Sequence, residues 1–276
     1  MPSPAAKQGG KTDRMIEEDK HWWFAGRTWS LLNMLDRIIA PNGQKQVLDV
    51  GCGAGNMIHH LSRYGQVIGI DNNPKPLAIA QQRGYNVRQG GAEALPVDAD
   101  SFDLVALLDT LEHCQDDMAV LRECRRACAP GGYLVVTTPA FMALWSHNDE
   151  LNRHYRRYTA PELRRKLVTS GLEVVRLTYN NLLLSLPAAA LMVLRRAVGR
   201  QPKLGSPHFD DESYQVEMEP APALLNALLS AITWTEAQVL RWINLPAGTS
   251  LICIARKASG LEASPRGRAD QAESSR

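Results

Sequence analysis

The stretch Val47-Leu-Asp-Val-Gly-Cys-Gly-Ala-Gly-Asn-Met57 constrains this chain more than any other part of it. An apolar run passes through Asp49 and ends in glycines at 51, 53 and 55. This pattern predicts a strand, a tight turn and the start of a helix near Asn56. Glycine has no Cβ, so the backbone can turn sharply there and a ligand can come close to it. The helix N-terminus then offers unbonded N–H groups to that ligand. The spacing departs from the dinucleotide fingerprint, whose third glycine falls one place later. A second apolar run, Val67-Ile-Gly-Ile-Asp71, ends in an acid where a ribose-binding carboxylate is expected.

Strand-like and helix-like segments alternate from there. Strands are expected at 46–50, 67–71, 85–89, 101–108 and 133–138. Helices are expected at about 56–64, 77–83 and 117–128, the last stopped by Ala129-Pro-Gly-Gly132. The run Ser101-Phe-Asp-Leu-Val-Ala-Leu-Leu108 is continuously apolar apart from its start, which suits a strand buried on both faces. The alternation predicts an α/β fold, a Rossmann-like, doubly wound and mostly parallel sheet. Ligands of such sheets bind beyond the carboxyl ends of the strands. Those ends form one row: Asp49 to Gly53, Asp71, Gly90 to Ala92, and Leu108 to Thr110.

Along this row the sequence resembles the class I S-adenosylmethionine (SAM)-dependent methyltransferases. Val47 to Gly55 is similar to their V-L-D-x-G-C-G-x-G, and Gly90 to Pro96 to their G-D-A-E-x-L-P. Phe102-Asp-Leu-Val, Asp109 to His113, and Ala129-Pro-Gly-Gly-Tyr-Leu match F-D-x-V, x-x-L-E-H and L-K-P-G-G-x-L in the family's order. The resemblance implies SAM as cofactor. It places Gly51 and Gly53 at the methionine moiety, with Asp49 at the strand end before them. Asp71 falls at the ribose hydroxyls, Asn72 beside the adenine, and Leu108 and Asp109 on the sulfonium side. Gly91 stands where relatives often carry an Asp that reaches the adenine amine, so that contact is expected from Ala92 or Glu93. It also implies an antiparallel last strand.

Glu17 to Arg27 contains His-Trp-Trp-Phe and leads into a helix expected at about 28–39. Two readings stand: a helix packed over the sheet edge, or a lid over the cofactor, with Trp23 covering it and Arg27 pairing a carboxylate. Asp109, Glu112 and His113 have the i, i+3, i+4 spacing of one helical face. A structural turn, a His113 base and a divalent metal are the readings weighed there, and no metal is assigned. The segment Pro139 to Thr159 is expected as a loop leaving the cofactor edge. A solvated surface loop and a substrate cap both fit its composition. As a cap it brings His147, Asp149 or His154 near the accepting atom and Arg156/Arg157 near an anionic group. His147 and His154 join His113 as candidate bases. Thr159-Ala-Pro-Glu162 reads as a capping box that opens a helix to about Ser170. A strand at 172–178 follows.

The chain divides into a polar N-terminus (1–14), a lid helix (15–45), a SAM-binding core (46–181), a helical insertion (182–249), a last strand (250–257) and a polar tail (258–276). The insertion carries an apolar segment at 182–194 beside arginines, an acidic stretch at 210–219, and an apolar helix at about 223–243 with Trp234 and Trp242. Peripheral membrane contact through 182–245 and packing within a subdomain or dimer both fit it. No segment reaches the roughly 20 apolar residues of a spanning helix. The net charge of +2 gives no reason to expect nucleic acid. Five cysteines lack a disulfide spacing, and the first residues lack a signal-peptide core. A cytoplasmic setting, peripheral at the inner membrane face, is the expectation. The whole pattern resembles a bacterial methyltransferase subfamily with an H-W-W-F-x-G-R start. The expected activity is methylation of a small-molecule or lipid- or glycan-linked acceptor. A non-catalytic, membrane-associated binding module and a nicotinamide oxidoreductase are the alternatives.

Overall fold

A computed structural model describes residues 17–185, 208–209, 216–217 and 222–259. The polar ends and most of 182–222, including all of the acidic stretch but Val216 and Glu217, therefore lie outside the described residues. The core is a seven-stranded sheet: β1 (Lys45–Val50), β2 (Gly65–Asp71), β3 (Val87–Gln89), β4 (Phe102–Leu108), β5 (Cys128–Pro139), β6 (Leu172–Asn180) and β9 (Ser250–Lys257). Two-residue strands β7 (His208–Phe209) and β8 (Val216–Glu217) pair with each other apart from it. The order in the sheet is β3-β2-β1-β4-β5-β9-β6. Pairings from β3 to β5 are parallel. β9 runs antiparallel to both β5 and β6, so the expected antiparallel last strand is present. The chain reverses direction across the sheet between β1 and β4, and a ligand crevice opens at such a switch point.

The helices are α1 (Trp22–Leu35), α2 (Ile58–Leu61), α3 (Pro74–Gln82), α4 (Asp117–Ala127), α5 (His147–Leu151), α6 (Ala160–Thr169) and α7 (Ala223–Leu240). One face of the sheet buries Leu48, Val50, Val105, Leu107, Leu134 and Val136 with residues of α4 and α6. On the other face Val47, Leu104, Val135 and Ile252 pack with Leu31, Met34 and Leu35 of α1. Apolar residues on both sides of each strand explain the unbroken runs in the sequence. α7 packs on α1, with Thr233 against Gly26 and the Ala237 carbonyl accepting from Asn33, while its buried Glu236 accepts from the Leu182 and Leu183 N–H groups.

Several local expectations are corrected. α1 begins at Trp22, six residues earlier than expected, because His21 caps it: the Trp23 N–H donates to His21 Nδ1 at 3.2 Å. The helix expected at 56–64 shrinks to the single turn α2, since the residues before it are spent in the glycine turn. Cys128 begins β5 instead of ending α4. Pro130-Gly-Gly lies inside β5, where the register slips between Phe102↔Cys128 and Leu104↔Tyr133 and Gly131 takes φ +78°. The strand absorbs the extra residues as a bulge. The expected loop at 139–159 contains α5, which Ser146 and Asp149 open with a capping box. The capping box at Thr159/Glu162 is present as expected. All five cysteines are free and buried.

Candidate cofactor and acceptor site

The glycine turn is built against β2. The Gly51 and Cys52 N–H groups both donate to the Ile70 carbonyl, at 2.7 and 3.1 Å. Gly51 has φ +75° and Gly53 φ +52°, conformations that glycine adopts without strain. A Cβ on Gly51 would lie 2.2 Å from Thr110 Oγ1, so the turn and the end of β4 touch. A Cβ on Gly53 would meet nothing within 4 Å. Gly53 thus fronts open space at the strand ends, where a ligand can approach bare backbone.

Asp71 joins two parts of this cradle. Its Oδ2 accepts from the Gly53 N–H and its Oδ1 from the Asn73 N–H, both at 2.9 Å. Asn73 in turn caps α3 through the Lys75 N–H. Asn72 beside it is exposed. Gly90 donates to the Asp71 carbonyl at 2.9 Å, which brings Gly91, half-buried Ala92 and exposed Glu93 to the same edge. Asp49 is buried, 2% exposed, at the end of β1. Burial first, and then the charge of Asp71, push its carboxyl up to about 7.

At the end of β4, Leu108 is half-buried and Asp109 takes φ +47°. The Thr137 hydroxyl accepts from the Asp109 N–H at 3.0 Å and donates to Asp109 Oδ1 at 2.9 Å. The other carboxylate oxygen forms an ion pair with Arg27 Nη1 from α1. Asp109 lies outside the short 3-10 turn Leu111–His113 that follows, so the two acids and the histidine do not belong to one helical turn. Glu112 is buried while His113 is exposed. Burial pushes Glu112 up to about 7, against the Thr138 hydroxyl, Arg27 and Arg157.

The segment after β5 brings His154 to this turn. The Tyr155 N–H donates to the Glu112 carbonyl at 2.8 Å. The His113 and His154 rings meet edge to face with centroids 4.6 Å apart. Glu112, His113 and His154 each offer one ligand atom within 4.8 Å of the others. His154 Nδ1 lies 2.9 Å from Asp149 Oδ1. Arg157 clamps the same carboxylate with two bonds, at 2.7 and 2.8 Å. Burial opposes the charge on Asp149, but His154 and Arg157 outweigh it and hold the carboxyl well below its usual range. An ionised carboxylate only accepts, so His154 carries its proton on Nδ1 and presents Nε2 as the basic nitrogen. Asp149, expected near the accepting atom, thus stands behind His154 and orients it. Its spacing to His154 and Arg157 within one loop is the sequence signal for that role. Arg156 pairs with Asp117 instead, which also takes the Tyr158 hydroxyl and Lys166. His147 stands on the first turn of α5 with its side chain 42% exposed and faces Glu150 at 3.3 Å. Trp23 is half-buried on α1, edge-on to Trp22.

Residues 48–136 match the family of methyltransferase domains. Over 115 residues the chain is 40% identical to a ubiquinone biosynthesis O-methyltransferase of Pseudomonas fluorescens, covering 39% of this chain and 49% of that protein. The chain thus spans about half the length of the curated relatives it matches. Among solved structures it is similar to a SAM-dependent methyltransferase from Mesorhizobium loti, with TM-score 0.51, 17% identity, and 83% and 98% of the two chains covered. It is also similar to phosphoethanolamine N-methyltransferase 2 of Haemonchus contortus in complex with SAM, with TM-score 0.52, 19% identity, and 82% and 52% covered. The fold is that of the class I SAM-dependent methyltransferases, and residues 48–136 carry the match to a methyltransferase domain.

Proposed function

We propose that the chain is an active SAM-dependent methyltransferase acting on a hydroxyl of a small-molecule or lipid-linked acceptor. The observation that carries this reading is the cradle at the ends of β1, β2 and β4. There the glycine turn, Asp71 and Asp109 face one crevice, and Gly53 leaves its floor bare. In this reading Gly51 and Gly53 receive the methionine moiety and Asp71 the ribose. Asn72, Ala92 and Glu93 flank the adenine, and Leu108 and Asp109 the sulfonium. Asp49 favours a cationic ligand, because a positive charge nearby drives its carboxyl towards the ionised form. Trp23 and Arg27 cover the site from α1.

SAM supplies a methyl group already activated by a sulfonium leaving group. The protein's work is alignment and proton removal. His154 Nε2 takes the acceptor proton while Asp149 fixes its tautomer and stabilises the imidazolium. His113 packs against the ring. The name of the P. fluorescens relative supports oxygen as the accepting atom.

Calorimetric titration of the purified chain with SAM, its demethylated product and NADH tests the cofactor. Binding of the first two is expected, with Asp71→Ala weakening both by 10²-fold or more. Binding of NADH alone would defeat the reading.

The surface of α7 and of the residues just after it favours a lipid-linked acceptor over a freely soluble one. Leu224, Leu228, Trp234, Trp242 and Ile243 are all more than half exposed, and Arg37 and Arg241 lie over the Trp242 ring. Aromatic and apolar residues beside arginines suit an anionic bilayer surface. Among the described residues no helix is long and apolar enough to cross a membrane. Co-sedimentation with phosphatidylglycerol vesicles at low salt, lost in Trp242→Ala, is expected. No sedimentation would remove the membrane contact.

A further inference from the structure

His59 and His60 occupy successive positions on α2, directly after the glycine turn. Successive side chains on a helix point about 100° apart. Here both rings nevertheless converge on one carboxylate. His59 Nε2 lies 3.0 Å from Asp19 Oδ2, and His60 Nε2 lies 2.9 Å from Asp19 Oδ1. The ring centroids are 3.6 Å apart. Asp19 belongs to the 3-10 turn Glu17–Lys20, which leads into α1, so the cluster ties the start of the chain's described part to the cofactor turn.

Two features go beyond an ordinary ion pair. One ligand atom from each of Asp19, His59 and His60 lies within 4.8 Å of the others. The donor spacing also fits. With bonds of about 2.1 Å, ligands at the tetrahedral angle stand about 3.4 Å apart, so small shifts let the three atoms close on one ion. His59 Nδ1 is buried without a partner. Nothing on that side of the ring pins the tautomer, so the proton can move to Nδ1 and free Nε2 as a ligand.

We infer that Asp19, His59 and His60 form a binding site for a divalent transition-metal ion that latches the N-terminal turn onto α2. Two imidazoles and a carboxylate suit Zn²⁺, Co²⁺ or Ni²⁺. Mg²⁺ and Ca²⁺ prefer oxygen alone. Three protein ligands leave the remaining positions to water.

The test uses the tag-free full chain stripped with EDTA, titrated calorimetrically with Zn²⁺ and followed by the visible absorption of bound Co²⁺. One ion per chain is expected, with a Tm rise of roughly 5 °C or more at about 100 times the Kd, reversed by EDTA. Asp19→Asn, His59→Ala and His60→Ala should each weaken binding at least ten-fold. His113→Ala should leave it unchanged. No saturable binding by the wild type would overturn the inference. So would equal affinity in Asp19→Asn, or loss of the ion in His113→Ala, which would place it at the other histidine cluster. None of these readouts involves SAM, so this inference and the proposed activity can fail separately.

Discussion

Arg27 of α1 reaches across 82 residues of sequence to form an ion pair with Asp109 at the carboxyl end of β4. The contact joins the two layers that enclose the crevice. It also occurs where the backbone is strained, since Asp109 sits at φ +47°. Asp and Asn tolerate that region better than other side-chain-bearing residues.

Two substitutions separate the charge from the backbone. Asp109→Asn keeps a tolerable backbone but removes the ion pair. Asp109→Ala removes both advantages. The expected order of Tm is wild type, then Asn, then Ala, with about 1 kcal/mol between the variants. Thermal unfolding checks it. Equal Tm for Asn and Ala would mean that the positive φ carries no cost here.

Gly26 explains the glycine of the His-Trp-Trp-Phe segment. It lies mid-helix, where glycine is a poor choice. A Cβ there would stand 2.5 Å from Thr233 Cβ on α7. Gly26→Ala should therefore lower stability by about 1–3 kcal/mol despite its better helix propensity, as overpacking does. Arg27 is the next residue, so SAM affinity should fall with it. Gly26→Ala together with Thr233→Gly, which removes the clashing Cβ, should recover part of both losses. A single variant as stable as wild type would show that the two helices separate freely.

How much of this was legible in the sequence divides by the range of the interaction. The strands and the row of their ends are written in local patterns: unbroken apolar runs, a glycine turn and an acid after each of two strands. The antiparallel last strand followed from the family resemblance. Contacts that depend on which elements meet were not legible. Arg27 was expected to pair a carboxylate, but nothing near it in the chain points to Asp109. The i, i+3, i+4 spacing of Asp109, Glu112 and His113 suggested one helical turn, but Asp109 sits at φ +47° outside the turn Leu111–His113. Pro130-Gly-Gly looked like a stop because those residues usually end elements, whereas here a bulge carries them within β5. Asp149 sat in a polar loop whose composition resembled solvated surface, yet it is 1% exposed because Arg157 and His154 neutralise it.

Asp49 gives a pH dependence with a definite sign. Its folded-state value is raised from 3.8 to about 7. The unfolded chain therefore loses this proton first as pH rises. The native state holds more protons between about pH 4 and 7, so stability falls across that window. A tenfold change in a proton's affinity is worth about 1.4 kcal/mol, giving a cost of a few kcal/mol above pH 7. Asp49→Asn should raise Tm at pH 8 and change it little at pH 4.5. The same variant should weaken SAM binding, because the charge that favours a cationic ligand is gone. Stability up and affinity down in one protein is the expected pair. A lower Tm at pH 8 would show that Asp49 is stabilised by its charge.

The acceptor side is tested by separating His154 from the groups around it. Asp149 is a poor handle, because removing its charge also strips half-buried Arg157 of its ion pair and leaves it the Ala140 carbonyl. His154→Gln retains size and polarity but cannot take up a proton. It should lower kcat by about 10²–10⁴-fold with SAM affinity unchanged. The wild type should gain activity as pH rises through the ionisation of the base, and the variant should lose that limb. His147→Gln, on the first turn of α5, should keep both kcat and the pH profile. If His154→Gln stays active while His113→Gln does not, the proton passes through the His113 ring. If neither variant loses the pH limb, the acceptor is deprotonated before it binds, and the Asp149–His154 pair serves only to hold the loop against Glu112.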